Sequence, residues 1–264
     1  MTSLDKVRGF LLDMDGTFYL GDHLIPGAAH FLEVLKSQDK EYLFLTNNSS
    51  RHRRSYADKF VHLGVPVPEE KILTSGEATA LHLKTSHAKA RLFVVGTPDL
   101  ESEFRASGFI IDETNPDLVV LGFDTTLTYA KLWKLCDFVR VGLPYIATHP
   151  DFNCPTENGL MPDIGATIAF VKASTGREPD VIIGKPNRWI VEAAQQKMGL
   201  AREELAMIGD RLYTDIALGQ TSGILTALVL SGESTTEDAS SSIHVPDYIF
   251  PHIGAVADWL EEHR

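Results

Sequence analysis

Short apolar runs that stop abruptly at polar residues constrain this chain more than any other feature of its sequence. Val7 to Leu12 runs into Asp13, Tyr42 to Leu45 into Thr46 and Asn47, Val181 to Ile183 into Gly184 and Lys185, and Leu205 to Ile208 into Gly209 and Asp210. Runs of this length, separated by helical patterns, predict strands of a mostly parallel sheet in an α/β protein. Open parallel sheets collect ligands at the carboxyl ends of their strands, so the four endings are expected to converge on one site.

Between the runs, Pro26 followed by Phe31, Leu32 and Leu35 predicts a proline-started helix with one apolar face, and Arg53 to Leu63 predicts another that stops at Gly64. Both read as crossover helices. The strand pattern recurs at residues 92–96, 118–122 and 143–148, but this middle segment lacks the paired carboxylates of its flanks. Residues 79–178 are therefore read as an inserted α/β domain, with residues 1–78 and 179–264 forming the core; Gly176 and Pro179 mark the second break. The serine- and threonine-rich stretch from Ser231 to Ser242 reads as a surface loop.

Composition excludes several function classes. With 44% hydrophobic residues in 264, the chain buries a core without staples. Cys136 and Cys154 lack C-x-x-C spacing, which points to a reducing, cytoplasmic setting. Residues 1–8 carry charges and too short an apolar run for a signal peptide or a membrane span. A net charge of −12 opposes nucleic-acid phosphates, and the one dense basic run, Arg51-His52-Arg53-Arg54, reads as a solvated helix face. The ten histidines show no zinc spacing, and no P-loop or dinucleotide-binding glycine turn is present. The expected partner is a small molecule, with neither nucleic acid nor membrane.

Asp13-Met14-Asp15-Gly16-Thr17 brings two carboxylates to the point where a buried strand turns, and Gly16 lets the backbone approach a ligand closely. By itself a D-x-D is expected about once by chance in such a chain, and a surface turn would explain it. Its place at a strand end, in series with the other three endings, changes that. Phosphoryl transfer to a carboxylate needs a nucleophile, charge neutralisation and an acid for the leaving oxygen. Asp13 suits the first task. A divalent cation, expected to be Mg²⁺, is required between its carboxylate and a phosphate, with Asp210 as a further ligand. Asp15 suits the acid and base steps. Thr46, Asn47 and Asn48 offer hydroxyl and amide donors for phosphate oxygens, and Lys185 offers a point charge; an Asx-type turn is the competing reading of the asparagines. Asp215, five residues beyond Asp210, is placed to orient Lys185 or a metal-bound water.

The four motifs, Asp13-x-Asp15-Gly16-Thr17, Thr46-Asn47-Asn48-Ser49, Gly184-Lys185-Pro186 and Gly209-Asp210-x-x-x-x-Asp215, resemble in order those of the haloacid dehalogenase superfamily of phosphatases. The large insertion between the second and third is similar to the NagD-like, 4-nitrophenylphosphatase branch. That resemblance implies a Rossmann-like core with an inserted C2-type cap, Mg²⁺ held also by the backbone carbonyl of Asp15, and small phosphomonoesters (nucleotide, sugar phosphate or 4-nitrophenyl phosphate) as substrates. It implies that the loop from His149 to Pro155 faces the substrate, with Asp151, Asn153 and Cys154 as contacts. The branch often forms cap-mediated dimers, so a homodimer is expected. Where the family often has Pro-Gly-x-Gly-Ala, this chain has Pro162-Asp163-Ile164-Gly165-Ala166, which implies a different loop. Two other classes stay open at this point: a phosphotransferase or mutase, and a phosphate-ligand binding protein that catalyses nothing.

Overall fold

A computed structural model of the protein describes residues 3–156 and 159–264. The chain divides into two compact units, the first comprising Met1–Thr46, Arg53–Leu73 and Lys185–Arg264, the second Asn47–His52 and Thr74–Gly184.

The first unit is built on a six-stranded sheet in the order Tyr248–Phe250, Leu225–Val229, Leu205–Gly209, Gly9–Leu12, Glu41–Thr46, Ile72–Thr74. Gly9–Leu12 is buried along its whole length and pairs in parallel with Leu205–Gly209 on one side and Glu41–Thr46 on the other. Chain order reverses at this strand, since the next two strands of the sheet in the chain lie to one side of it and the last three to the other. Ligands bind at such a switch point, beyond the carboxyl end of the strand, and the residue there is Asp13. The expected helices form at Ala28–Ser37 and Arg53–His62. Gly64, at φ +81°, follows the second in the left-handed conformation that glycine adopts at least cost.

Phe18, Phe44 and Phe60 meet in the core of this unit. The Phe18 ring stands edge-on to Phe44 at 4.9 Å and to Phe60 at 5.7 Å, and the Phe44 and Phe60 centroids are 4.6 Å apart. All three are fully buried. The cluster fastens the chain just beyond Asp15 to the Glu41–Thr46 strand and to the Arg53–His62 helix.

The second unit has a five-stranded parallel sheet in the order Val181–Ile182, Tyr145–Ala147, Leu118–Leu121, Arg91–Val95, Ile110–Ile111. An antiparallel hairpin, Asn153–Thr156 with Gly159–Pro162, follows Tyr145–Ala147 in the chain. One expectation is corrected here. Val181–Ile183 was expected among the strands that carry the acidic motifs, yet Val181–Ile182 is an edge strand of the second sheet, and Ile183 and Gly184 continue its bonds to Ala147 and Thr148. Three apolar residues have no pattern that tells one sheet from another; the pairing is non-local and cannot be read from so short a run.

Truncating Phe44 to Ala should cost about 3–5 kcal/mol of stability, the usual penalty for a fully buried aromatic ring. Urea unfolding of the variant measures it, and a loss under about 1 kcal/mol would contradict the packing described.

Candidate active site

The carboxylates of Asp13, Asp210 and Asp215 lie within 4.8 Å of one another. Lys185 ties two of them together: its Nζ donates to Asp13 Oδ1 and, at 2.7 Å, to Asp215 Oδ1. Only 5% of the Lys185 side chain is exposed, and Asp215 is fully buried. Burial works against the ammonium, but the two carboxylates outweigh it and hold the lysine's pKa above its ordinary value.

Each member reaches the cluster from a strand end. Asp13 and Asp210 follow adjacent parallel strands, in register at Leu12 and Ile208. After Asp210 the chain makes a π-helical turn, Leu212–Ile216, which returns Asp215 toward the strand it has just left. The Arg211 amide donates to Asp215 Oδ2 at 3.1 Å, so both oxygens of Asp215 are engaged. Gly209 makes this possible, because a Cβ there would overlap the Asp215 carboxylate.

Asp210 is gripped from a second loop. The Glu233 amide donates to its Oδ2 at 2.7 Å, and Thr17 Oγ1 reaches its Oδ1 at 3.4 Å. A Cβ on Gly16 would come within 2.5 Å of Asp210 Oδ2, and one on Gly232 would overlap the same carboxylate. Ser231 Oγ donates to the Gly16 carbonyl at 2.7 Å and closes the loop onto the Asp13–Thr17 turn. The stretch from Ser231, read from sequence as a surface loop, thus begins as part of this site. Its signal was available: Leu225–Val229 is a fifth apolar strand, and beyond Leu230 it too runs into a polar residue and a glycine, Ser231 and Gly232.

Burial first, then the charges of Asp13 and Asp215, push Asp210 up to about 7. Burial lifts Asp215 to about 6 although Lys185 pulls it down. Three crowded carboxylates share one ammonium. Such a surplus of negative charge on hard oxygen donors fits a divalent cation of the magnesium or calcium type. Asp15 is open to solvent, yet loss of solvation and then the Asp13 charge raise its pKa, while Lys59 and Arg211 pull it down.

Thr46 ends the Glu41–Thr46 strand in the first unit. Asn47, Asn48, Asp151, Asn153 and Cys154 belong to the second unit. There the Asn47 Nδ2 donates to both oxygens of Asp151 at 3.1 Å each. Asn48 Oδ1 accepts from the amide and hydroxyl of Ser50, both at 2.8 Å, closing the Asx turn weighed above. Asn153 and Cys154 open the hairpin, which carries the exposed Leu160 and is preceded by the exposed Phe152. Asp163, the departure from the family pattern, caps the helix Ile164–Thr175 by accepting from the Ile164 amide at 2.6 Å, with an ordinary extended backbone that needs no glycine.

Comparison with known proteins gives the family of the chain. The family model described as haloacid dehalogenase-like hydrolase matches residues 10–110, and a related one of the same class matches residues 182–256. The chain belongs to the haloacid dehalogenase-like hydrolases. It is 36% identical to the 5'-nucleotidase YutF of Bacillus subtilis over 96% of this chain and 97% of that one. Among solved structures it is 50% identical to the 4-nitrophenylphosphatase of Thermotoga maritima, with a TM-score of 0.94 and coverage of 97% of this chain and 98% of that one. It is 30% identical to the glycerol phosphate phosphatase Rv1692 of Mycobacterium tuberculosis, solved with calcium, with a TM-score of 0.88 and coverage of 95% and 74%. The chain falls in the NagD-like, 4-nitrophenylphosphatase branch of the family and is a phosphatase.

Two buried groups of the second unit make opposite contributions to the pH dependence of stability. Burial lowers His149 to about 4, so its contribution is complete above about pH 6.5 and is lost as pH falls toward 4. Burial raises Asp163 to about 7, so its contribution is complete below about pH 4 and is lost as pH rises toward 7. Relative to wild type, Asp163→Asn should therefore gain stability steadily from pH 4 to 7. Thermal unfolding midpoints across that range test the sign, and a constant difference between the two proteins would contradict it.

Proposed function

We propose that the enzyme hydrolyses small phosphomonoesters, of nucleotide, sugar phosphate or 4-nitrophenyl phosphate type, through an aspartyl-phosphate on Asp13 and with Mg²⁺. The observation that carries this is the buried Lys185 bridging Asp13 and Asp215 beside Asp210. Lys185 donates to Asp13 Oδ1 and fixes the carboxylate in place. Asp13 attacks phosphorus as the bond to the leaving oxygen breaks, and Asp15 gives its proton to that oxygen. Asp15 then takes a proton from water, the water oxygen bonds to phosphorus, and the bond to Asp13 breaks to free phosphate. The raised pKa of Asp15 suits the first of these steps.

Asp13, Asp210 and the backbone carbonyl of Asp15 would hold the ion. Asp215, both of whose oxygens are taken by Lys185 and the Arg211 amide, supports from behind. Bound Mg²⁺ supplies positive charge against the phosphate oxygens. Thr46, Asn47, Asn48 and Lys185 bind the phosphate group. The second unit serves as the specificity cap, with Asp151, Asn153 and Cys154 as substrate-binding residues. The enzyme is placed in the cytoplasm; no helix among the described residues is long and apolar enough to cross a membrane. The exposed Tyr129, Trp133 and Phe170 around a cavity of about 250 Å³ on this unit support a homodimer through that face; light scattering should give twice the chain mass.

With 4-nitrophenyl phosphate at neutral pH, hydrolysis should require Mg²⁺ and stop with EDTA. Asp13→Asn should abolish it, and Asp15→Asn should lose about 10²- to 10⁴-fold in kcat while still binding phosphate. Full activity in Asp13→Asn would end the proposal. Gly232→Ala, which crowds the Asp210 carboxylate, should weaken Mg²⁺ binding measured by calorimetry without substrate, and unchanged affinity would remove Asp210 from the ligand set.

A further inference from the structure

The segment Asn47–His52 is fastened to the rest of the second unit by three side chains and a backbone amide of other segments. Ser75 Oγ donates to the Asn47 carbonyl at 2.5 Å, Ser49 Oγ lies 2.9 Å from Thr148 Oγ1 and accepts from the Phe123 amide at 2.9 Å, and Thr97 Oγ1 donates to the Ser50 carbonyl at 2.9 Å. The Asn47 side chain donates to both oxygens of Asp151. Asp151 in turn sits against His149.

His149 is fully buried. Its Nδ1 accepts from the Asp151 amide at 3.4 Å and lies 3.6 Å from Asp151 Oδ2, which puts the ring proton on Nε2. That Nε2 has no hydrogen-bond partner among the described residues and faces Asp163 Oδ1 at 3.6 Å. Gly184 completes the packing, because a Cβ there would lie 2.5 Å from Asn47 Oδ1 and 2.7 Å from His149 Cβ. An apolar ring would fill this space without the cost of a buried, poorly satisfied N–H. The imidazole is therefore explained by what its Nδ1 orients.

We infer that His149 is a positioning residue which, through Asp151, fixes Asn47 for phosphate binding. This rests on the reading of Asn47 as a phosphate-binding residue. Loss of the imidazole removes the acceptor of the Asp151 amide and the ring against which the Asp151 carboxylate packs, so the carboxylate that accepts from Asn47 shifts and the donors of Asn47 are held less well for an anion.

The test is the inhibition constant of inorganic phosphate, with KM and kcat for 4-nitrophenyl phosphate, in His149→Phe, Asn47→Ala, the double variant and His149→Asn. His149→Phe should raise the phosphate inhibition constant on the order of tenfold, and Asn47→Ala at least as much. The double variant should be no worse than Asn47→Ala alone, because one acts through the other. His149→Asn, whose Oδ1 stands where Nδ1 stood, should restore most of the affinity. Should His149→Phe fail to fold, His149→Leu takes its place in the cycle with the same expectation. Multiplying effects in the double variant, or a folded His149→Phe with wild-type affinity, would overturn the assignment of His149. An unchanged constant in Asn47→Ala would instead remove the reading of Asn47 itself, and His149's role with it.

Discussion

A lysine ammonium buried between two carboxylates is the constraint around which the first unit is arranged. Lys185 is tolerable in its setting only because Asp13 and Asp215 face it, since a buried charge without a partner costs several kcal/mol. Those partners come from different strand ends, and the parallel register of Gly9–Leu12 on Leu205–Gly209 is what brings them together. A slip of one residue would turn Asp13 to the opposite face of the sheet. Gly209 and the π-helical turn after it meet the same demand, because Asp215 must double back over the strand that it follows.

The same arrangement leaves more negative charge than one lysine neutralises. Asp210 carries the surplus, and the protein holds it in place with a backbone amide from Glu233 and with glycines at 16 and 232 that leave it room. A carboxylate fixed in this way, beside two others, is organised for a cation before any substrate arrives. Preorganised charge of this kind accounts for much of what an enzyme contributes to phosphoryl transfer, where the protein has little covalent chemistry to perform beyond the nucleophile.

Much of this was legible in the sequence because it is local. Asp13, Asp15, Asp210 and Asp215 each stand directly after an apolar run or one turn beyond it, and a run of four or five apolar residues that ends in a carboxylate is a strand end whatever sheet it joins. What escaped depended on non-local pairing. Val181–Ile182 is too short to declare its sheet, and Ser231 to Ser234 looked like solvent-exposed loop because serine, glycine and glutamate carry no periodicity. The joining of Asn47 to Asp151 across more than a hundred residues had no sequence signal either. Glycine did have one: Gly16, Gly209 and Gly232 all sit where the backbone must pass close to a carboxylate, and each follows within a few residues of an apolar strand.

The central claim is that Asp13 becomes covalently phosphorylated. The direct measurement is an acid quench during turnover of 4-nitrophenyl phosphate with Mg²⁺, followed by borohydride reduction and peptide mass spectrometry, which converts an aspartyl-phosphate into homoserine. Homoserine at position 13 and at no other aspartate is the predicted result. Reduction at a different carboxylate, or none in an enzyme that is turning over substrate, would contradict it.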